Sequence, residues 1–325
     1  MKTRSTASVT RGIVPCALRA SRCAGWHDGR MPAVPPGAPS ADASLAEAPR
    51  APFVALSALW LVLTGTLCNL RCTHCLNASG PDEPWLAPLD GAVVRRALAE
   101  AETLGVREVY FTGGEPFLHR EILPLLETSL VVAATTVLTN GTVMTEALAD
   151  ALATLARAAR YSLEIRVSLD AADAQANDRV RGRGTWARAV RTLQMLDARG
   201  LLPIVTATEI TETPGAYDRF RALLRGLGIA RPRVKILPVF PVGRAAGAAA
   251  PRLGEAELAG FDRSLLQCAE TRVVAAGGVY ACPILAGLPG ARLSDGELAA
   301  ALRPAALYHE ACVTCHRTGA TCRNA

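Results

Sequence analysis

Residues 58–75 read ALWLVLTGTLCNLRCTHC, an uncharged β-like run that leads straight into three cysteines. Leu59, Trp60, Leu61, Val62 and Leu63 are continuously apolar, and a run of that length without alternation suits a strand buried on both faces, as in a parallel sheet. Cys68, Cys72 and Cys75 then follow at Cys-x3-Cys-x2-Cys spacing, three thiols in one short loop. A structural zinc or an electron-transfer cluster normally takes four protein ligands, whereas three leave a coordination place open, as catalysis requires. A zinc knuckle completed by His74 or a distant cysteine is the bland alternative, but such sites usually show matched Cys-x2-Cys halves.

Further on, the β-branched and aromatic run Arg107-Glu108-Val109-Tyr110-Phe111-Thr112 reads as a second strand, and Gly113-Gly114-Glu115-Pro116 follows it directly. Two glycines at a strand end allow close approach to the backbone, and a carboxylate there can accept hydrogen bonds from a cationic amine. Taken with the cysteine loop, this motif resembles the radical S-adenosylmethionine (radical SAM) family. The resemblance implies that Cys68, Cys72 and Cys75 hold a [4Fe-4S] cluster whose fourth iron is chelated by SAM. It also implies that Gly113, Gly114 and Glu115 bind the methionine amino group, and that His74 lies beside the adenine. Ser168 would lie near the ribose and Arg181 near the SAM carboxylate, against the plainer readings of a strand-end cap and a surface arginine.

The fold implied is α/β. Short β-like runs alternate with helical ones from residue 58 to 239, which argues for βα units around a parallel sheet. Six strands are expected, at Ala58 to Gly65, Arg107 to Thr112, Ala134 to Thr139, Ser162 to Ser168, Pro203 to Ile210 and Arg233 to Leu237. Val93, Val94, Ala97, Leu98, Ala101 and Leu104 share one helical face and stop at Gly105; Trp186, Ala189, Val190, Leu193 and Leu196 repeat the pattern before Gly200. Six such units match the family's partial (β/α)6 barrel, in which ligands meet the C-terminal ends of the strands. The cysteine loop, Gly113 to Glu115, Asn140, Ser168 with Asp170, Thr208 with Glu209, and Pro238 all fall at those ends, and Asn140 is taken as a cofactor-site residue on that ground. The expected organisation is a disordered extension over 1–50, the core over 51–240, a Gly/Ala/Pro-rich linker over 241–251 and a small cysteine-rich module over 252–325.

That last segment carries Cys268, Cys282, Cys312, Cys315 and Cys322, with Gly277 at Gly-x4-Cys spacing before Cys282. The layout resembles the auxiliary-cluster modules called SPASM and Twitch. It departs from the longer SPASM pattern in the Cys315-to-Cys322 gap and in having too few thiols for two clusters. One auxiliary [4Fe-4S] cluster on Cys268, Cys282, Cys312 and Cys315 is therefore expected, with Cys322 as a possible substitute. A zinc site using Cys312, Cys315, Cys322 and either His316 or Cys282, and c-type haem on Cys312-x2-Cys315-His316, are the rival readings.

Composition limits function from the other side. Of the net charge of +6 over 325 residues, +4 belongs to residues 1–50, so the body is near neutral and carries no basic stripe of the kind nucleic acid needs. Residues 51–70 are uncharged and long enough to cross a bilayer, but their polar interruptions favour a buried strand, and no membrane partner is expected. No acid precedes Asp28, which resembles a transit peptide; a start at Met31 is a further possibility, and Cys16 and Cys23 are assigned no role. Cysteines at metal-ligand spacing indicate a reducing compartment, the cytoplasm.

The family resemblance implies reductive cleavage of SAM to a 5′-deoxyadenosyl radical that abstracts hydrogen from substrate. It also implies an electron donor such as flavodoxin or ferredoxin. Modification of a small peptide is the preferred outcome. Radical dehydrogenation or dehydration of a small molecule such as an aminosugar is the alternative, and a non-catalytic iron-sulfur scaffold that binds SAM is the reading of another class. Asp170, Glu209 and Tyr280 are candidates for a general acid or base.

Overall fold

Why the run at 58–63 is apolar throughout becomes plain from its two neighbours. In the computed structural model, which describes residues 45–82, 84–209, 215–247 and 251–319, Leu59, Leu61 and Leu63 pack outward into a core shared with the helices. Ala58, Trp60 and Val62 pack inward against Tyr110, Val273 and Phe240. Both faces of the strand are dry, so neither can carry a polar residue.

The first strands are β1 (Arg50–Ala51), β2 (Ala58–Val62), β3 (Glu108–Thr112), β4 (Ala134–Thr139) and β5 (Leu163–Ser168). They are followed by β6 (Ile204–Glu209) and β7 (Arg233–Pro238). Strands β2 to β7 lie side by side in sequence order and all run parallel. Helices α1 (Gly91–Thr103), α2 (Ile122–Val132), α3 (Glu146–Ala158), α4 (Ala174–Arg181), α5 (Thr185–Asp197) and α6 (Ala216–Gly226) form the crossovers. Asp90 caps α1 by accepting from Ala92 N at 2.7 Å, and Val94, Ala97, Leu98 and Ala101 are its buried face. This is the expected partial (β/α)6 barrel. Its first strand ends at Val62, earlier than anticipated, because Gly65 at φ +54° turns the chain where a Cβ would strike Leu86 O at 2.0 Å.

The sheet does not stop at the expected linker. β8 (Thr271–Ala275) pairs parallel to β2 on its free side, β9 (Gly278–Tyr280) returns antiparallel through the turn at Ala276-Gly277, and β10 (Arg292–Ser294) completes nine strands. β11 (Ala305–Ala306) pairs with β1, and Leu307 N donates to Pro49 O at 2.8 Å. Residues 45–50, inside the stretch expected to be disordered, are thus part of the fold, and Leu45 and Ala48 pack on its core. The last helix is α7 (Glu310–Thr318). Cys16, Cys23, Met31 and Cys322 lie outside the described residues. Among those described, no helix is long and apolar enough to cross a membrane.

Direction along the sheet places the cysteines. Cys68 follows the C-terminal end of β2, whereas Cys268 precedes the N-terminal end of the parallel β8, and the β8–β9 hairpin brings Cys282 back to that same end. The two thiol groups therefore belong to opposite ends of the barrel interior.

Candidate active site

The cysteine loop is stitched to its surroundings before any ligand is considered. Cys68 N donates to Gly80 O at 3.1 Å, Gly80 N to Thr66 O at 3.1 Å, and Thr73 N to Val180 O at 2.9 Å. Donors also face the sulfurs: Leu70 N and Asn140 Nδ2 approach Cys68 Sγ at 3.4 and 3.7 Å, and Ser79 N approaches Cys75 Sγ at 3.4 Å. Such contacts favour thiolate over thiol and tune an iron-sulfur centre. Without a cation, burial outweighs them and pushes the Cys68 thiol up to about 12; burial raises Cys72 as well. Coordination to a metal is what would deprotonate such groups.

Gly113 and Gly114 prove to be required by the cysteine loop itself. A Cβ on Gly113 (φ +138°) would meet Thr64 Oγ1 at 2.5 Å, and one on Gly114 would meet Leu67 O at 2.0 Å. The strand end lies directly against the loop, and Glu115 N donates to Leu67 O at 3.0 Å. Glu115, expected beside the methionine amine, makes its contacts here to the protein. Its carboxylate is fully buried and accepts from Phe117 N at 3.1 Å, Thr139 Oγ1 at 2.8 Å and Asn140 N at 2.7 Å. It ties β3 to β4, while Gly113 and Gly114 line the cavity described below and Glu115 does not. Burial lifts its pKa to about 7 even though the three donors work the other way.

Asn140 sits at the junction of loop and barrel. Its Oδ1 accepts from Thr142 N at 2.8 Å, and its Nδ2 donates to Asn69 Oδ1 at 2.9 Å; Asn69 Nδ2 in turn donates to Thr142 Oγ1 at 2.8 Å. Arg181, in the last turn of α4, is not a surface arginine: Nε lies 2.5 Å from Asp170 Oδ2, and both side chains are buried. Burial works against its charge, but Asp170 and the Cys72 thiol outweigh it and hold the pKa above the ordinary value. His74 Nε2 shares the same Asp170 oxygen at 3.3 Å, and burial lowers its pKa against the pull of Asp170.

Asp170 also accepts from Thr208 N at 2.8 Å, which anchors the end of β5 to β6. Tyr280 is likewise buried, donating its hydroxyl to Ala276 O at 2.9 Å, and does not line the cavity. The side chain of Glu209 lies outside the described residues.

A cavity of about 220 Å³ opens among these groups, lined by all three loop cysteines together with His74, Gly113, Gly114, Asn140, Ser168 and Arg181. Sequence reasoning missed much of its apolar wall, including Trp60, Leu138, Leu237, Phe240, Pro283 and Ile284. It also missed Arg244, which lies in the stretch read as a linker. Arg244 donates from Nε to Cys72 O at 2.8 Å and from Nη2 to Ser79 O, while its backbone N donates to Cys75 O at 3.0 Å. Gly243 permits that approach, since a Cβ there would strike Leu76 O at 2.3 Å. An arginine inside a Gly/Ala-rich run gives no sequence signal of such a contact.

The second thiol group forms its own site. Cys268, Cys282, Cys312 and Cys315 line one small apolar cavity of about 30 Å³ with Leu266, Leu285 and Leu307. α7 supplies Cys312 and Cys315 from one face, three residues apart. Burial pushes Cys268 up to about 12 and raises Cys282 and Cys312 too. Arg272, fully buried, donates to Cys268 O and Ala301 O at 2.7 Å each and places a positive charge beside these thiols. All seven described cysteines are free, and no described group of three or more His, Cys, Asp or Glu converges on a single-ion position. Four thiols around one apolar space, with a buried guanidinium nearby, fit an anionic polynuclear cluster.

Residues 62–224 match the Radical SAM superfamily. Among curated proteins, mycofactocin maturase MftC of Mycobacterium ulcerans is 32% identical over 181 residues, covering 55% of this chain and 46% of that protein. A probable GTP 3′,8-cyclase of Methanopyrus kandleri is 29% identical over 145 residues, 44% of this chain and 45% of that one. The chain thus spans about half the length of the curated relatives it matches. Among solved structures, Streptococcus suis SuiB bound to precursor peptide SuiA is similar with a TM-score of 0.56 at 15% identity, over 75% of this chain and 63% of that one. anSMEcpe with bound AdoMet gives 0.57 at 16% identity, over 73% and 77%. At such identities the likeness is one of fold. The superfamily match covers half of the chain and runs through both the three-cysteine loop and Gly113-Gly114-Glu115, and the chain belongs to the radical SAM superfamily.

Proposed function

We propose that this protein is a SAM-cleaving enzyme that modifies a small peptide. The observation that carries the reading is the wall of the large cavity: thiols of the open three-cysteine site face residues that immediately follow Cys282 of the second site. When bound, the cluster and SAM supply one-electron cleavage of the sulfonium and hydrogen-atom abstraction from substrate. Cys68, Cys72 and Cys75 hold the first cluster, and the N–H groups of Leu70, Ser79 and Asn140 stabilise their negative charge. The backbone of Gly113 and Gly114 receives the amine, Arg181 the carboxylate, Ser168 the ribose and His74 the adenine edge. Apolar walls from Trp60, Leu237 and Phe240 exclude water, which a reactive radical demands.

Cys268, Cys282, Cys312 and Cys315 hold the auxiliary cluster, whose closed thiolate set suits electron transfer or structure. A flavodoxin or ferredoxin is the electron donor, and free thiols at ligand spacing suit the cytoplasm. The peptide substrate is supported by relatives named as maturases and by a fold neighbour solved with a precursor peptide. Anaerobic protein refilled with iron and sulfide, given SAM and dithionite, should release 5′-deoxyadenosine. With short peptides encoded beside the gene it should alter their mass. Release of deoxyadenosine without any peptide product would favour an aminosugar-type substrate, and no release at all would favour the scaffold.

A further inference from the structure

Among the described residues, four that line the large cavity carry a buried polar atom with no hydrogen-bond or ion-pair partner in the protein: Trp60 Nε1, His74 Nδ1, Ser79 Oγ and Thr206 Oγ1. Trp60 lines the cavity, only 2% of its surface is exposed, and no protein atom accepts from its indole Nε1. Leaving such a donor unpaired costs about 1–3 kcal/mol. Thr206 stands in register with Ser168, on the ribose side, and His74 and Ser79 belong to the cysteine loop and the residues that follow it. Trp60 lies elsewhere. It is at mid-height of β2, opposite Val273 of β8 and Tyr110 of β3, between the end that carries Cys68 and the end that carries Cys268.

The ring is also held still. It stacks on Tyr110 with centroids 4.2 Å apart and planes 6° apart, and the Arg166 guanidinium lies over the Tyr110 ring at 5.5 Å. A rigid ring with a buried, unpaired donor is a preorganised recognition element. Around it the cavity wall is apolar, formed by Leu138, Leu237, Phe240, Pro283 and Ile284. Ile284 also lines the four-cysteine cavity, so this subsite is the stretch of interior lying between the two thiol groups.

We infer that Trp60 Nε1 is the substrate-positioning donor of this enzyme, binding a backbone carbonyl of a residue whose apolar or aromatic side chain fills the Leu138–Leu237–Phe240–Ile284 wall. The inference rests on the peptide reading above, to which it adds the class of residue accepted and the group that orients it.

The test uses reconstituted, oxidised protein labelled with 15N-tryptophan, whose Trp60 indole resonance is assigned by its loss in Trp60→Phe. N-acetyl-L-phenylalaninamide offers both side chain and carbonyl; ethylbenzene offers the apolar shape alone. The amide is expected to move the Trp60 N–H resonance downfield and to bind roughly tenfold more weakly to Trp60→Phe, a factor worth about 1.4 kcal/mol. Ethylbenzene is expected to bind both proteins alike and leave the resonance in place. No downfield shift with the amide, equal shifts with both probes, or equal amide affinity in the variant overturns the inference. Deoxyadenosine release by the same wild-type sample with dithionite reports separately on the underlying SAM-cleavage reading.

Discussion

Glu115 illustrates how much a single residue's role depends on partners far away in sequence. A carboxylate after two glycines at a strand end reads identically whether it faces a ligand or the protein, and the choice is made by Thr139 and Asn140, two donors from the next strand. Glu115→Gln puts an amide N–H against the Asn140 N–H and should cost about 1–3 kcal/mol. The wild-type group binds its proton more tightly folded than unfolded, because its folded pKa is raised to about 7. Its stabilising contribution is therefore complete below the ordinary carboxylate range and is lost as pH rises toward about 7, by roughly 3 kcal/mol at most. Urea unfolding of metal-free protein should thus show the wild type more stable than the variant at pH 5 and that gap closing by pH 7.5. A gap that stays constant or widens with pH contradicts the burial assigned to Glu115. The cysteines were legible at this scale because three thiols in eight residues have few other uses; Trp60 was not, since an apolar-run tryptophan looks like any core residue.

At the scale of elements, periodicity exposed six strands because each is a short β-rich run bounded by a helix. It missed β8, whose Thr271-Arg272-Val273-Val274-Ala275 contains an arginine that seems to forbid burial. Arg272 is buried nonetheless because four carbonyl oxygens, those of Cys268, Thr271, Ala301 and Arg303, take its donors. The short 3₁₀ turn at Gly243–Ala245 escaped for a different reason: beyond two local hydrogen bonds, Ala245 N to Val242 O and Ala246 N to Gly243 O, it is held by the cysteine loop that it clasps. Arg244→Gln removes the guanidinium from Cys72 O and Ser79 O and should loosen that loop without touching the other thiol site. Iron release to a chelator from the three-cysteine site is expected to rise roughly tenfold, equivalent to about one net hydrogen bond. Release from the four-cysteine site should be unchanged, and Arg244→Lys should restore part of the difference. Uniform acceleration at both sites, or none, rules out the clasp.

For the whole molecule, what composition could not convey is that the second cysteine group shares a sheet with the first. Grouped thiols already pointed to two metal sites in an enzyme. Their placement at opposite ends of one interior follows only from β8 joining β2 in parallel, a long-range pairing with no local signature. That arrangement makes the two sites separable by mutation. Cys72 belongs to the open three-thiol loop, so Cys72→Ala leaves two thiols, too few to hold the cluster that SAM must reach, and reductive release of 5′-deoxyadenosine should fall to background. Cys315 lines the four-thiol cavity on the far side of Ile284, so Cys315→Ala should leave the first site intact: deoxyadenosine still forms, but it is no longer coupled to a change in peptide mass. Iron content should drop by about four per chain in each variant, on the proposed four-iron cluster at each site. Full and equal turnover in both variants, or loss of SAM cleavage in Cys315→Ala with the first cluster still present by its electron-paramagnetic signal, would show that the two ends of the barrel do not divide the chemistry in this way.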